Sequence, residues 1–277
     1  FGGFMVFSAL WLILVYAPMC HWVWGGGWMG QMGALDFAGG AVVHMSSGAA
    51  ALCCAILIGK RKGHGSTAFI PHNLPMTILG AAILWFGWFG FNAGSALAAD
   101  GVAANAFVTT HMATAAAALS WIVAEWMHGG KATTLGAASG AVAGLVAITP
   151  AAGFVTPMWA IVLGLGAGVL CYGGIMLKNR FGYDDALDVV GIHGLGGTYG
   201  ALATGLLATV GAEGLIAGNA HQLWVQFVSV VATWGFCFVM TFIIFKVVDA
   251  TIGLRASDAE QDKGMDIAEH SETGYQW

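Results

Sequence analysis

The sequence predicts an all-α polytopic membrane bundle with eight bilayer-crossing helices, and three observations support that fold class. The chain of 277 residues is 58% hydrophobic and only 8% charged, against about 25% charged in an ordinary soluble domain. Its apolar residues fall into eight long runs joined by short connections. Its 43 glycines suit helices that pack in lipid, where small residues permit close backbone approach and hydrophobic exclusion contributes little. Gly164 with Gly168, and Gly196 with Gly200, carry the four-residue spacing of such contacts.

The runs cover 1 to 23, 37 to 59, 73 to 95, 102 to 127, 133 to 150, 155 to 178, 185 to 209 and 220 to 248, each near the roughly 20 residues that cross about 30 Å of hydrocarbon. The expected division is one membrane domain over 1–250 and a polar tail over 251–277. Residue 1 is Phe inside an apolar run, with no Met or polar segment before it, so a chain truncated at its start is expected. Cytoplasmic loops are enriched in Lys and Arg. Lys60, Arg61, Lys62, Lys131, Lys178, Arg180, Lys246, Arg255 and Lys263 all follow alternate runs, which puts those loops and the tail in the cytoplasm and the loops near Asp36, Asp100 and Glu213 outside. The net charge of −5 lies largely in the tail and suggests no nucleic-acid partner. Cys20, Cys53, Cys54, Cys171 and Cys237 form no disulfide or metal pattern and read as packing thiols. No metal site, cofactor or catalytic residue is indicated.

An ionisable residue inside a span is costly and is a functional candidate by default. His44 lies eight residues after Asp36, and His193 lies eight after Asp185, so each sits about 12 Å along its helix. Each has Gly four residues on, at Gly48 and Gly197. The pattern Asp-x7-His-x3-Gly therefore occurs twice, in helices entering from opposite faces, as an inverted repeat would place a central site. Three readings stay open. Each histidine can be satisfied locally in the bundle core. The two can hold a haem as axial ligands, with the glycines making room for the ring. Or they can meet as a neutral pair offering a donor and an acceptor to a small polar solute.

The run 73–95 contains Trp85-Phe86-Gly87-Trp88-Phe89-Gly90-Phe91-Asn92-Ala93-Gly94-Ser95. Trp88, Phe91 and Ser95 share one face by the three-and-four spacing, with Ser95 near the outer mouth. Trp24, at the outer end of the first run, lies at the same level, and an indole face beside a hydroxyl can take a cation. Phe91 lies one turn below as a plug. The competing reading is an interfacial aromatic belt and ordinary packing. His111 reads as a packing or subunit-contact residue, and the histidines near span ends carry no assignment.

The strings HWVWGGGW at 21–28, GALDFAGGAVVH at 33–44, PHNLPM at 71–76, GWFGFNAGSA at 87–96 and DVVGIHG at 188–194 are specific. On them the chain resembles the ammonium transporter (Amt/Mep/Rh) family, particularly its bacterial Amt branch, over essentially its whole length. The resemblance implies an eleven-span channel of which these runs are the fourth to eleventh. It makes His44 and His193 the twin pore histidines, Trp24 and Ser95 part of the outer ammonium site, Phe91 one of two gate phenylalanines and Trp88 a pore-lining tryptophan. The other gate phenylalanine belongs to the family's third span. Asp36 matches an aspartate near the outer vestibule that orders backbone at a helix start, and Asp188 an inner-vestibule carboxylate.

The resemblance further implies transport of ammonium or ammonia in the bacterial inner membrane, a homotrimer in lipid, and a PII-type regulatory protein at the cytoplasmic face. Composition alone makes the tail, with six acidic residues from Asp258 to Glu272, a solvated extension; the resemblance makes it pack on the inner face. An ammonium sensor of the same fold is the main rival expectation.

Overall fold

Each apolar run folds as helix in the computed structural model, which describes residues 1–275. Helix α1 starts as Gly2–Trp11, passes a π-helical turn at Leu12–Tyr16 and ends as Ala17–Val23. A short α2, Trp28–Met32, leads to α3, Gly40–Ile58. Then come α4 (Leu74–Gly94), α5 (Gly101–Gly129), α6 (Thr134–Ile148) and α7 (Pro157–Phe181). Helix α8 joins a π-turn, Val190–Gly194, to Leu195–Leu207, and α9 is Ala220–Thr251. A last short helix, α10, is Asp258–Lys263. There is no strand among the described residues.

Local chemistry sets these boundaries. The side chains of Asn73, Asp100, Thr133 and Asn219 each accept a hydrogen bond from the first turn of α4, α5, α6 and α9, supplying partners for otherwise orphaned amides. Pro157 opens α7, where its missing N–H costs nothing. Left-handed Gly130 and Gly182 close α5 and α7.

The expected count of eight crossing helices is not met by length. Among the described residues six helical stretches are long and apolar enough to cross a bilayer, which makes this a multi-pass membrane protein. Helix α6 has 15 residues, about 22 Å at 1.5 Å per residue. Pro150 follows it, and residues 149–153 and 155 form a buried turn where an apolar run had suggested continuing helix. Irregular backbone at membrane depth survives only where its polar groups find partners, and carbonyls of this turn do. Pro150 O accepts from Phe37 N, Phe154 O accepts from Thr209 N and Val210 N, and Ala152 O accepts from Thr109 Oγ1 at 2.8 Å.

Helices α5, α6 and α7 pack through small residues, as the glycine spacing implies. A Cβ added at Gly164 would overlap the Ala113 backbone, and one at Gly168 would meet Ser120 and the Ala117 carbonyl. Gly196 and Gly200 serve α8 in the same way against Cys171, Val146 and Ala147.

The basic loops gather at one end of the bundle. Asp184 accepts from Arg61 N, Nε and Nη2 at 2.8, 2.8 and 2.6 Å, and His64 Nδ1 lies 3.3 Å from it. Arg255 donates to Ile58 O and Lys60 O. The tail is therefore not the solvated extension composition suggested. It runs along the loop 59–73, with Lys62 Nζ on Asp262, Lys62 N on Gln261 Oε1, and Asn73 Nδ2 on the Tyr275 hydroxyl.

The Arg61 guanidinium holds the Asp184 carboxyl down to about 2. A carboxyl depressed in the folded state stabilises above its unfolded value near 3.9, and that stabilisation fades as pH falls from about 4 to about 2. Melting curves in detergent across that range are expected to show wild type losing on the order of 1 kcal/mol from this partly exposed pair. Arg61→Ala is expected to lack that pH-dependent portion; identical pH slopes would contradict the clamp.

Candidate functional site

Two helix starts, built alike and entering from opposite ends, bring the histidines together. Before α3, Asp36 is buried and its carboxylate gathers four amides: Oδ1 accepts from Gly39 N and Gly40 N at 2.9 and 2.6 Å, and Oδ2 from Ala41 N and Val42 N at 2.8 and 3.3 Å. These donors have no partner within the helix, and the helix dipole favours an anion there. Before α8, Asp185 is also buried, and its Oδ2 accepts from Val190 N at 2.8 Å. Asp184, its neighbour, is clamped by Arg61 just beyond the end of α3, so α8 begins where α3 ends and the two run antiparallel.

Asp188, the expected inner-vestibule carboxylate, does not cap the helix. It takes a left-handed φ of 58° and forms an ion pair with Lys178 Nζ, which also donates to Asp185 O at 3.0 Å. Asp185, eight residues before its histidine, is thus the counterpart of Asp36.

Both histidines lie in π-helical turns, Gly40–Met45 and Val190–Gly194. A π-turn accommodates one extra residue in an α-helix and swings side chains out of the regular register. His44 Nδ1 and His193 Nδ1 are 3.2 Å apart, with ring centroids at 5.2 Å. One ring therefore donates a proton to the other. Buried His44 keeps its Nε2 without a partner, an uncommon condition for an enclosed polar atom.

The glycines of the repeat explain the approach. A Cβ on Gly48 would strike the backbone of Gly194, beside His193, and one on Gly197 would lie 2.9 Å from the Cβ of His44. Each repeat thus contributes the glycine against which the other repeat's histidine turn rests. The haem reading fails on this geometry. A metal between two nitrogens needs roughly 4 Å, twice a bond of about 2 Å, and the space assigned to the ring is filled by backbone. Local satisfaction in separate core sites fails too, because the rings satisfy each other.

Trp88 stacks on His44, with centroids 5.3 Å apart and planes at 22°, and Phe91 lies 6.3 Å from His44 and 5.5 Å from Trp88. The expected pore group His44, His193, Trp88 and Phe91 is thus one cluster. Trp24 is exposed, and its Nε1 donates to the backbone oxygen of Asp36 at 2.8 Å, which anchors the indole over the start of α3. Ser95 donates to Phe91 O at 2.9 Å. Ser95 is thus tied to the cluster through Phe91, Trp24 stands on another element, and no hydrogen bond joins the two among the described residues. His111 is exposed against Trp85 and Phe89, apart from the histidine pair.

Several supporting residues escaped the sequence reading. Trp88 Nε1 donates to Thr149 Oγ1 at 3.0 Å, and Asn92 Nδ2 donates to Thr110 Oγ1 at 2.9 Å, all four residues being buried. Gln226 is buried in α9. A search for uncharged amides within apolar runs, alongside charges, would have found Asn92 and Gln226.

The sequence matches the Ammonium Transporter Family over residues 1–275. It is 56% identical to an "Ammonium transporter" of Bacillus subtilis over 282 aligned residues, covering 100% of this chain and 69% of that protein. Among solved structures, Saccharomyces cerevisiae Mep2 superposes with a TM-score of 0.89 at 36% identity, covering 94% of this chain and 61% of that one. A structure described as "Sensor Amt Protein" superposes with a TM-score of 0.86 at 31% identity, covering 94% of this chain and 68% of that one. This chain thus spans roughly two thirds of the length of these relatives. With the family match running from the first residue to the end of the described tail, this multi-pass membrane chain belongs to the Ammonium Transporter Family.

Proposed function

We propose that the chain conducts ammonium or ammonia through a pore centred on His44 and His193, captured first at an outer site that includes Trp24 and Ser95. The observation that carries this reading is the histidine pair: two rings in direct contact, with His44 Nε2 unpaired beneath Trp88 and Phe91. An unmet donor or acceptor in an apolar shaft is a binding position for a small solute with both capacities.

Capture uses the Trp24 indole face, where a cation retains contact with water. An isolated cation farther in costs several kcal/mol or more, so the ion gives a proton to water of the outer mouth before ammonia passes Phe91. Ammonia then exchanges hydrogen bonds along His44 and His193 and is reprotonated on leaving. Asp36 orders the backbone below Trp24, and Asp188 with Lys178 lines the opposite mouth. The family's homotrimer, a cytoplasmic tail over 251–277 beyond a channel domain over 1–250, placement in a bacterial inner membrane and control by a PII-type protein belong to the same proposal. The tail's grip on the loop 59–73 supports the regulatory part.

Methylammonium uptake by the full chain in proteoliposomes tests it. His44→Ala and His193→Ala are each expected to lower flux at least about tenfold. Trp24→Ala is expected to raise the half-saturating concentration roughly 5- to 30-fold, matching the 1–2 kcal/mol of a partly desolvated cation–π contact, with flux at saturation retained. Unchanged flux in both histidine variants would remove the pore assignment. The likeness to a protein described as a sensor favours a second reading, ammonium binding without conduction; saturable binding with no flux would select it.

A further inference from the structure

Gln226 makes more of its hydrogen-bonding capacity than any other side-chain amide among the described residues. Its side chain is 1% exposed, in the first third of α9. Oε1 accepts from Leu35 N at 2.8 Å, and Nε2 donates to Leu35 O at 2.8 Å and to Ala201 O at 3.0 Å. One amide thus grips both backbone groups of Leu35, as a neighbouring strand would, and ties them to α8. Gln222, one turn earlier, donates to Gly33 O at 2.9 Å. The orientation is dictated by the partners, since two carbonyl oxygens can only accept and must face the NH2 group.

The residue after Leu35 is Asp36. Its backbone oxygen holds the Trp24 indole, and its carboxylate caps α3. Asp36 has four amide partners of its own, so the cap keeps its geometry when the loop is disturbed. Trp24 has one anchor, and that anchor is set by the path of residues 33–36. We propose that Gln226 is a positioning residue for the outer capture site: by clamping Leu35 against α8 it fixes the carbonyl from which Trp24 is hung. The inference rests on the reading of Trp24 as part of that site.

Gln226→Glu tests it with almost no change of shape. The carboxylate oxygen that replaces Nε2 faces Leu35 O and Ala201 O, acceptor against acceptor, in a buried site. In proteoliposomes of the full chain, the half-saturating methylammonium concentration is expected to rise about tenfold, while flux at saturation per folded protein stays within about twofold. Amide hydrogen exchange over residues 33–37 is expected to quicken in detergent, while the Asp36-capped amides of 39–42 keep their protection. Gln226→Met, of equal length and without charge, serves if the glutamate variant does not purify as a folded species, and it is expected to move both readouts in the same direction.

A role confined to stability would lower the yield or melting temperature and leave half-saturation unchanged. Unaltered half-saturation in Gln226→Glu or Gln226→Met, with Trp24→Ala raising it, would overturn the proposal. So would unaltered exchange over 33–37. If Trp24→Ala itself leaves half-saturation unchanged, the capture reading falls and the proposal with it, a pattern distinct from the first.

Discussion

Asp36→Ala is expected to cost about 3–5 kcal/mol of stability and to abolish measurable conduction. The alanine removes the acceptor for four amides at once, in a turn shielded from water. Loss of an ordinary N-cap costs about 0.5–2 kcal/mol, and each buried donor left unmet adds about 1–3 kcal/mol, part of which local relaxation recovers. For a chain of this size that is on the order of a 10 °C fall in melting temperature. Conduction falls by a separate route, because the amides released belong to the π-turn that carries His44. Asp36→Asn keeps one acceptor and turns an NH2 group toward the other pair of donors, so it is expected to fall between alanine and wild type. Thermal melting in detergent and proteoliposome flux read the two effects separately. An asparagine variant indistinguishable from wild type in both would mean that the carboxylate is not the cap.

Gly48→Ala is expected to impair conduction more than any other single methyl added to the bundle. The new Cβ meets the Gly194 main chain, and a main chain cannot rotate aside as a side-chain tip can. Helix α8 must move away, at an overpacking cost of about 1–3 kcal/mol, and His193 moves with it. A displacement near 1 Å at a reacting centre can lower rates about a hundredfold, and a fall of at least tenfold is expected here. Gly197→Ala is milder, since its nearest neighbours are the Cβ of His44 at 2.9 Å and Gly40 O at 3.1 Å. Gly87→Ala is the control, its added Cβ meeting nothing within 4 Å. The expected order of flux is Gly87→Ala, then Gly197→Ala, then Gly48→Ala. Equal flux in all three would show that the helix crossing does not govern the histidine pair.

The histidine pairing was legible in sequence because two costly residues shared a spacing to an aspartate and a glycine. The spacing did not reveal why the glycines were there. Room for a flat ring and room for a crossing helix leave the same missing side chain, and only the positions of Gly194 and His44 separate them. The π-turns left no readable mark, since the one-residue shift of register they introduce shows only against alternating apolar and polar faces, which a nearly uniform apolar run lacks. Helix α6 was read as longer than it is because the buried turn after Ile148 is as apolar as a helix. Gln226 and Thr149 were passed over because one amide or one hydroxyl hardly alters an apolar run, although burial without water makes its partners obligatory. The tail was misread from composition because acidic residues look solvated until the bases they face, such as Lys62, are located.

The inverted construction of α3 and α8 has a consequence for the direction of flow. Turning the central pair end for end exchanges one capped π-turn for the other, leaving the same two rings at the same separation with a single hydrogen between them. If the pair is the pore centre proposed above, its polarity comes from its surroundings, where Trp88 and Phe91 lie against His44 and only His44 leaves a buried Nε2 unpaired. The copies differ again at their ends: four amides gathered by Asp36 beneath an indole at one, and a single amide on Asp185 beside a lysine–aspartate pair at the other.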